Sequence, residues 1–329
     1  MGEARPSTAR TVLRLVTIVA SLPYLLIKTA WISGSRIGIP QHSSLREDGG
    51  SLIAVNSLTV VMEAAVIALA FLLTRPWGRR VPAWTLALPM WFATGLIAPI
   101  VVVFPVQTLV AALNGDATRA DTGANELLAP WVWSVVYGGF IIQGVCLGTL
   151  FALYARDRWG HLWRGRVGDL AGSPSLSAQR IAATAAAMLT VLPVVMHLLW
   201  AAGADAGLNA SRIAARDTDF RLTEAGFALL AMAAVTGVLL VGFRRGRRLP
   251  LAASLGLAWL GSGALGCWGG WMMLTALSAT ADDPAAPTPL MNLTYSVQMI
   301  VGTLIATAGA YFFAQRSTDH ELQEYGRAT

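Results

Sequence analysis

Long uninterrupted apolar runs alternate along this chain with short polar connections. The runs lie near residues 12–33, 52–74, 83–105, 131–154, 181–202, 222–243, 251–275 and 292–314. At about 1.5 Å of helical rise per residue, each is long enough to cross a hydrocarbon core roughly 30 Å thick. None alternates apolar and polar positions with a period of two, which a membrane β-barrel would require. Helices satisfy their own backbone groups inside lipid, so the pattern predicts an all-α polytopic membrane protein with eight transmembrane helices. The third run carries Pro89, Pro99 and Pro105, and is expected to kink or to end early because proline removes a helical hydrogen bond. The first run is long and lacks a following small-residue cleavage site, so it reads as a retained span and not a signal peptide.

Composition sharpens the class. Hydrophobic residues make up 55% of the 329 and charged residues 13%, with a mean hydropathy of +0.57. Soluble domains carry about 25% charged residues, so a water-soluble enzyme is excluded. Cys146 and Cys267 both sit inside apolar runs, which leaves no disulfide framework and no cysteine metal site. No cofactor and no metal are expected.

The net charge of +6 belongs to topology. Of the 23 arginines, 17 fall in the N-terminal segment, the even-numbered connections and the C-terminal tail, and 6 in the other connections. Positive loops stay on the cytoplasmic side during insertion. Both termini are therefore expected in the cytoplasm, in a multi-pass plasma-membrane protein with lipid and not nucleic acid as its partner. The basic stretch Arg156–Arg166 is expected to rest on anionic headgroups.

The second half echoes the first. Leu22-Pro23 with Lys28 and Trp31 pairs with Leu192-Pro193, His197 and Trp200. Gly78-Arg79-Arg80-Val81-Pro82 pairs with Gly246-Arg247-Arg248-Leu249-Pro250, and Gly148-Thr149-Leu150 with Gly302-Thr303-Leu304. The order is the same in both halves, which predicts two parallel four-helix repeats, residues 1–175 and 176–329. Four spans per repeat give a pseudo-two-fold along the membrane normal and no inversion.

Ionisable residues within a span are costly and are candidates for function. Lys28, Glu63 and His197 stand out; Lys28 is the only lysine of the chain. Asn56, Thr59 and Glu63 share one face of the second helix by their spacing, and Gln143 falls at the depth of Glu63 by residue count. Two readings of Glu63 follow. In one it pairs with Lys28 as a structural tie between the first two helices, while His197 reaches for the headgroups. In the other it is kept as a neutral acid in an apolar pocket, ready to donate a proton. Glu224, next to Thr223, reads as a residue near a helix start, with a second acid as the alternative.

Twelve tryptophans are present. Trp31, Trp131, Trp133, Trp200, Trp268 and Trp271 are expected in an interfacial belt. Trp91 and Trp259 lie deeper, and read as packing or as the wall of a cavity able to steady a cation. Gly261, Gly263, Gly266, Gly269 and Gly270 predict close approach of the seventh helix.

The stretches Leu22-Pro23-Tyr24…Lys28…Trp31-Ile32-Ser33-Gly34…Gly38 and Arg79-Arg80-Val81-Pro82-Ala83-Trp84…Leu88-Pro89-Met90-Trp91 resemble a class of actinobacterial eight-span membrane proteins. A smaller group of these resembles the membrane-bound terpene cyclases of bacterial indole-terpenoid pathways. The resemblance implies an all-helical membrane enzyme acting on a lipophilic small molecule. It assigns no residue a role.

Three functions remain open on sequence. The first is a protonation-initiated cyclase for prenyl chains, with Glu63 as acid, Gln143 and Asn56 holding it, and Trp91, Trp259, Lys28 and His197 around the substrate. The second is a proton-coupled transporter or immunity permease using Lys28, Glu63 and His197 as a relay. The third is a non-catalytic membrane subunit.

Overall fold

The structure is a computed structural model that describes residues 8–46, 49–114, 127–170, 175–277 and 285–328. Among the described residues there are eight long helices: α1 (Thr8–Ile32), α2 (Gly49–Leu72), α3 (Trp84–Leu113), α4 (Pro130–Trp163), α5 (Leu176–Ala201), α7 (Thr218–Gly242), α8 (Leu251–Ala276) and α9 (Pro289–Ala328). A single turn and a half, α6 (Ala210–Ala214), precedes α7. Every long helix holds a stretch apolar enough and long enough to cross a membrane, and no strand occurs among the described residues. The protein is all-α and multi-pass.

The third span does not end at its prolines, which was one of the two outcomes expected of it. α3 runs on past Pro105 to Leu113. Prolines are tolerated within membrane helices because neighbouring groups re-satisfy the freed carbonyls. The fourth helix also continues beyond its apolar run to Trp163. The stretch expected to rest on headgroups thus begins as helix, and two of its members are engaged. Arg158 donates to the Tyr154 hydroxyl and to the Val81 carbonyl, while Asp157 pairs with Arg10.

Two compact units are present: Met1–Ala93 with Ile100–Arg158, and Thr94–Pro99 with Trp159–Thr329. In the first, α1 packs along α2. The side of α1 turned inward is polar: Arg14, Thr17 and Ser21 are buried, whereas Val12, Leu15, Val19, Leu22 and Leu26 are exposed. This reversal of the usual pattern is stable only where the surroundings are hydrocarbon.

In the second unit α8 packs between α7 and α9, and α5 lies against α7 and α9. Ala186, Ala231, Ala234, Leu265, Val301 and Ile305 form its centre. The expected close approach of α8 is present. A Cβ added at Gly261 would fall 2.5 Å from the Leu230 carbonyl oxygen, and one at Gly302 would fall 2.3 Å from the Gly266 nitrogen. Side chains no larger than hydrogen let these backbones meet.

One corner occurs in both units. After α1, the Trp31 indole donates to the Ile37 carbonyl at 2.8 Å; after α5, Trp200 does the same to Ala206 at 2.8 Å. Each chain turns through a left-handed glycine three residues after the tryptophan, Gly34 (φ 91°) and Gly203 (φ 95°), and again at Gly38 (φ 73°) and Gly207 (φ 70°). The amides of Gly34 and Gly203 bond back to the carbonyls of Trp31 and Trp200. Glycine meets no steric cost in this region. Both tryptophans are buried, so Trp31 and Trp200 do not belong to an interfacial belt; their N–H groups are spent on closing these turns.

Candidate functional site

The first unit holds a polar ladder along α1, α2 and α4. At one end, Arg14 donates to the Thr74 hydroxyl at 3.2 Å. In the middle, the Gln143 amide of α4 faces the Glu63 carboxyl, Nε2 to Oε2 3.4 Å. The amide oxygen of Gln143 accepts from Ser21 at 3.1 Å. The Ser21 hydroxyl also lies 3.0 Å from the Thr17 carbonyl, so its one proton serves either acceptor. The other carboxyl oxygen of Glu63, Oε1, is buried and has no hydrogen-bond partner.

Lys28 lies at the far end, beside Trp31. Its ammonium donates to Asn56 Oδ1 at 2.8 Å and rests over the rings of Trp31 and Tyr24, 4.7 and 5.2 Å from their centroids. Lys28 and Glu63 form no ion pair. Asn56 and Glu63 are two turns apart on α2, about 10 Å along the axis, and Lys28 reaches the level of Asn56. The reading of Lys28 and Glu63 as a structural tie is set aside: the tie between α1 and α2 at this level is Lys28–Asn56. Thr59 donates back to the Asn56 carbonyl.

The second unit carries a different cluster. His197 of α5 and Glu224 of α7 are both buried and bond directly, Nδ1 to Oε2. The other imidazole nitrogen, Nε2, meets Gln298 Nε2 of α9 at 2.6 Å. The second carboxylate oxygen of Glu224 takes Arg212 of α6 at 3.4 Å. The His197 ring is stacked on Phe227 and edge-on to Trp200. The ring is thus bonded on both nitrogens, with the Glu224 carboxylate at Nδ1 and the Gln298 amide at Nε2.

Two expectations fail here for the same reason. His197 does not reach for the headgroups, and Glu224 does not begin a helix. The cap of α7 is Asp217, whose side chain accepts from the Phe220 amide. Glu224 sits nearly two turns farther in, where a buried carboxylate needs partners, and His197 and Arg212 supply them.

The tryptophans proposed as walls stand in separate units. Trp91 is buried in the first unit, edge-on to Phe92. Trp259 belongs to the second and donates its indole N–H to Thr94 at 2.9 Å. An apolar groove in the second unit, lined by Gly237, Val241, Leu255, Ile305 and Phe312, contains neither tryptophan and none of the candidate acids.

Sequence reasoning missed Ser21, Arg212 and Gln298. The spacing Arg14, Thr17, Ser21, Lys28 already marks one face of α1, and Gln298 is an amide well inside an apolar run; either signal was available. No protein-family model, curated protein or solved structure matches the chain.

Proposed function

We propose that the protein is an integral membrane enzyme that starts the cyclisation of a prenyl or terpenoid chain by protonating it, with Glu63 as the acid. The observation that carries this reading is the Glu63 carboxyl itself, buried beside Gln143 and Ser21, with Oε1 making no hydrogen bond. A buried carboxylate without a cation is expensive, whereas the neutral acid has a proton to give. In the reaction that proton passes from Glu63 to a terminal epoxide oxygen or alkene carbon. The resulting carbocation is captured by a neighbouring double bond to close a ring. Loss of a proton from the adjacent carbon to the Glu63 carboxylate restores the acid, so the product is an isomer of unchanged mass. Gln143 positions the acid, Asn56 lies about 10 Å from it along α2, and Trp91 of the same unit offers a ring face to the cation. Lys28 of the same unit completes the substrate surroundings. The protein is a plasma-membrane enzyme in this reading, with both termini cytoplasmic.

The test is turnover. Membranes containing the protein, incubated with terminally epoxidised prenyl-aromatic compounds, yield a new isomer by chromatography and mass spectrometry. Glu63→Gln removes the isomer while the protein still folds. Full turnover by that variant would reject the assignment.

The His197–Glu224–Gln298–Arg212 cluster favours a second reading, proton-coupled transport. An imidazole bonded on both nitrogens can exchange a proton as the Gln298 amide turns over. In vesicles this predicts substrate movement that depends on a pH gradient and is lost in His197→Gln. Movement without a gradient counts against it.

A further inference from the structure

The turns after α1 and α5 match at three positions at an offset of 169, Trp31 with Trp200, Gly34 with Gly203 and Gly38 with Gly207. The same offset takes Lys28 to His197, and an offset of 168 takes Asn56 to Glu224. Both pairs are in contact, each joining the first helix of its set to the second. The two contacts are therefore versions of one arrangement, with a base on the first helix and an oxygen acceptor on the second. In the second unit the acceptor is a carboxylate. In the first it is an amide.

That difference leaves the first unit short of an anion. The Lys28 ammonium has three donors, of which Asn56 Oδ1 takes one. The ring faces of Tyr24 and Trp31 ease the positive charge without neutralising it. Lys28 forms no ion pair among the described residues, and a lone cation at this depth is costly. Asn56 carries the second deficit. Its side chain is 1% exposed, and its Nδ2 group has no hydrogen-bond partner. The amide cannot be turned over to relieve this, because only its oxygen can face an ammonium. Unused N–H donors of Lys28 and of Asn56 thus lie within one amide group of each other, in a wall of two aromatic rings.

We propose that Lys28 and Asn56 form a binding site for a carboxylate, which supplies the anion that Glu224 builds into the second unit. The carboxylate takes one N–H from the Lys28 ammonium and one from Asn56 Nδ2, and it neutralises Lys28 as Glu224 neutralises Arg212. Lys28 is half-exposed, which leaves the approach open at the end of α1 that carries Trp31. The site rests on the first unit alone and is independent of whether Glu63 acts as a cyclase acid.

Because Lys28 is the only lysine, 15N-lysine labelling gives a single side-chain resonance that reports on this site. The full chain is placed in phosphatidylcholine nanodiscs and titrated with oleate, with acetate, and separately with phosphatidylglycerol in the disc. A saturable shift with oleate is expected. A matching shift with acetate would identify water-borne carboxylates as the source, and its absence a membrane-borne one. Asn56→Asp is nearly isosteric and supplies its own carboxylate, so its resonance starts at the bound position and no longer responds to oleate. Asn56→Leu removes the donors and weakens the response at least tenfold. No shift with either carboxylate, or an Asn56→Leu response equal to that of the native protein, would overturn the proposal. So would an equal shift with phosphatidylglycerol, which would make the site one for phosphodiesters.

Discussion

Trp31 and Trp200, 169 residues apart, make the same hydrogen bond to the carbonyl six residues ahead, Ile37 in one unit and Ala206 in the other. Each indole buries a large ring and spends its single donor on a backbone group that the turn would otherwise leave unpaired. Trp200→Phe keeps most of the ring but orphans the Ala206 carbonyl. A loss of about 1–3 kcal/mol is expected, read as a lowered midpoint of thermal unfolding in detergent, and Trp31→Phe should fall in the same range. An unchanged midpoint in both variants would show that the corners do not depend on the indole donors.

The His197–Glu224 contact is a buried pair with further partners on both sides. Glu224→Ala strands His197 Nδ1 and removes the anion beside Arg212, and it should cost about 3–5 kcal/mol. Glu224→Gln retains an acceptor and should cost less. A double-mutant cycle with His197→Ala then yields a coupling of about 0.5–3 kcal/mol. Additive effects would mean that the two side chains do not depend on each other.

Close helix contact in the second unit rests on glycine. At Gly302 an alanine would push its methyl group into the backbone of α8, 2.3 Å from the Gly266 nitrogen. Backbone cannot give way as a flexible side chain can, so Gly302→Ala should destabilise by about 1–3 kcal/mol or more. Gly309→Ala on the same helix meets nothing within 4 Å and serves as the control. Equal stability of the two variants would contradict the packing of α9 on α8.

Glu63→Gln separates chemistry from stability. The carboxyl has no cation partner, and a glutamine of the same shape still offers an oxygen to Gln143, so the change in stability should stay below about 1 kcal/mol. A loss of several kcal/mol, measured by thermal unfolding, would mean that Glu63 is held as an anion.

Eight spans were legible because the length and hydropathy of each run are local properties, readable before any contact is known. The stripe Asn56–Thr59–Glu63 was legible for the same reason: helical spacing alone sets which residues share a face. Gln143 was placed opposite Glu63 by counting residues, and the contact is present. Lys28 misled because depth does not say which of two polar groups on the next helix a long side chain will meet. Pro105 does not end α3, because a membrane helix tolerates proline where an isolated helix in water would break.

What hydropathy and spacing settle in this chain is how many helices cross the membrane and which face of each is polar. Which polar group meets which was decided by tertiary structure. Glu224 illustrates the limit: two residues of sequence context made it a helix start, and only the approach of α5, α6 and α9 turned it into the centre of a cluster. The reason is energetic. Inside lipid a charged or polar side chain has no solvent to fall back on, so its state is set by the partners that packing delivers, and those partners lie tens to more than a hundred residues away along the chain.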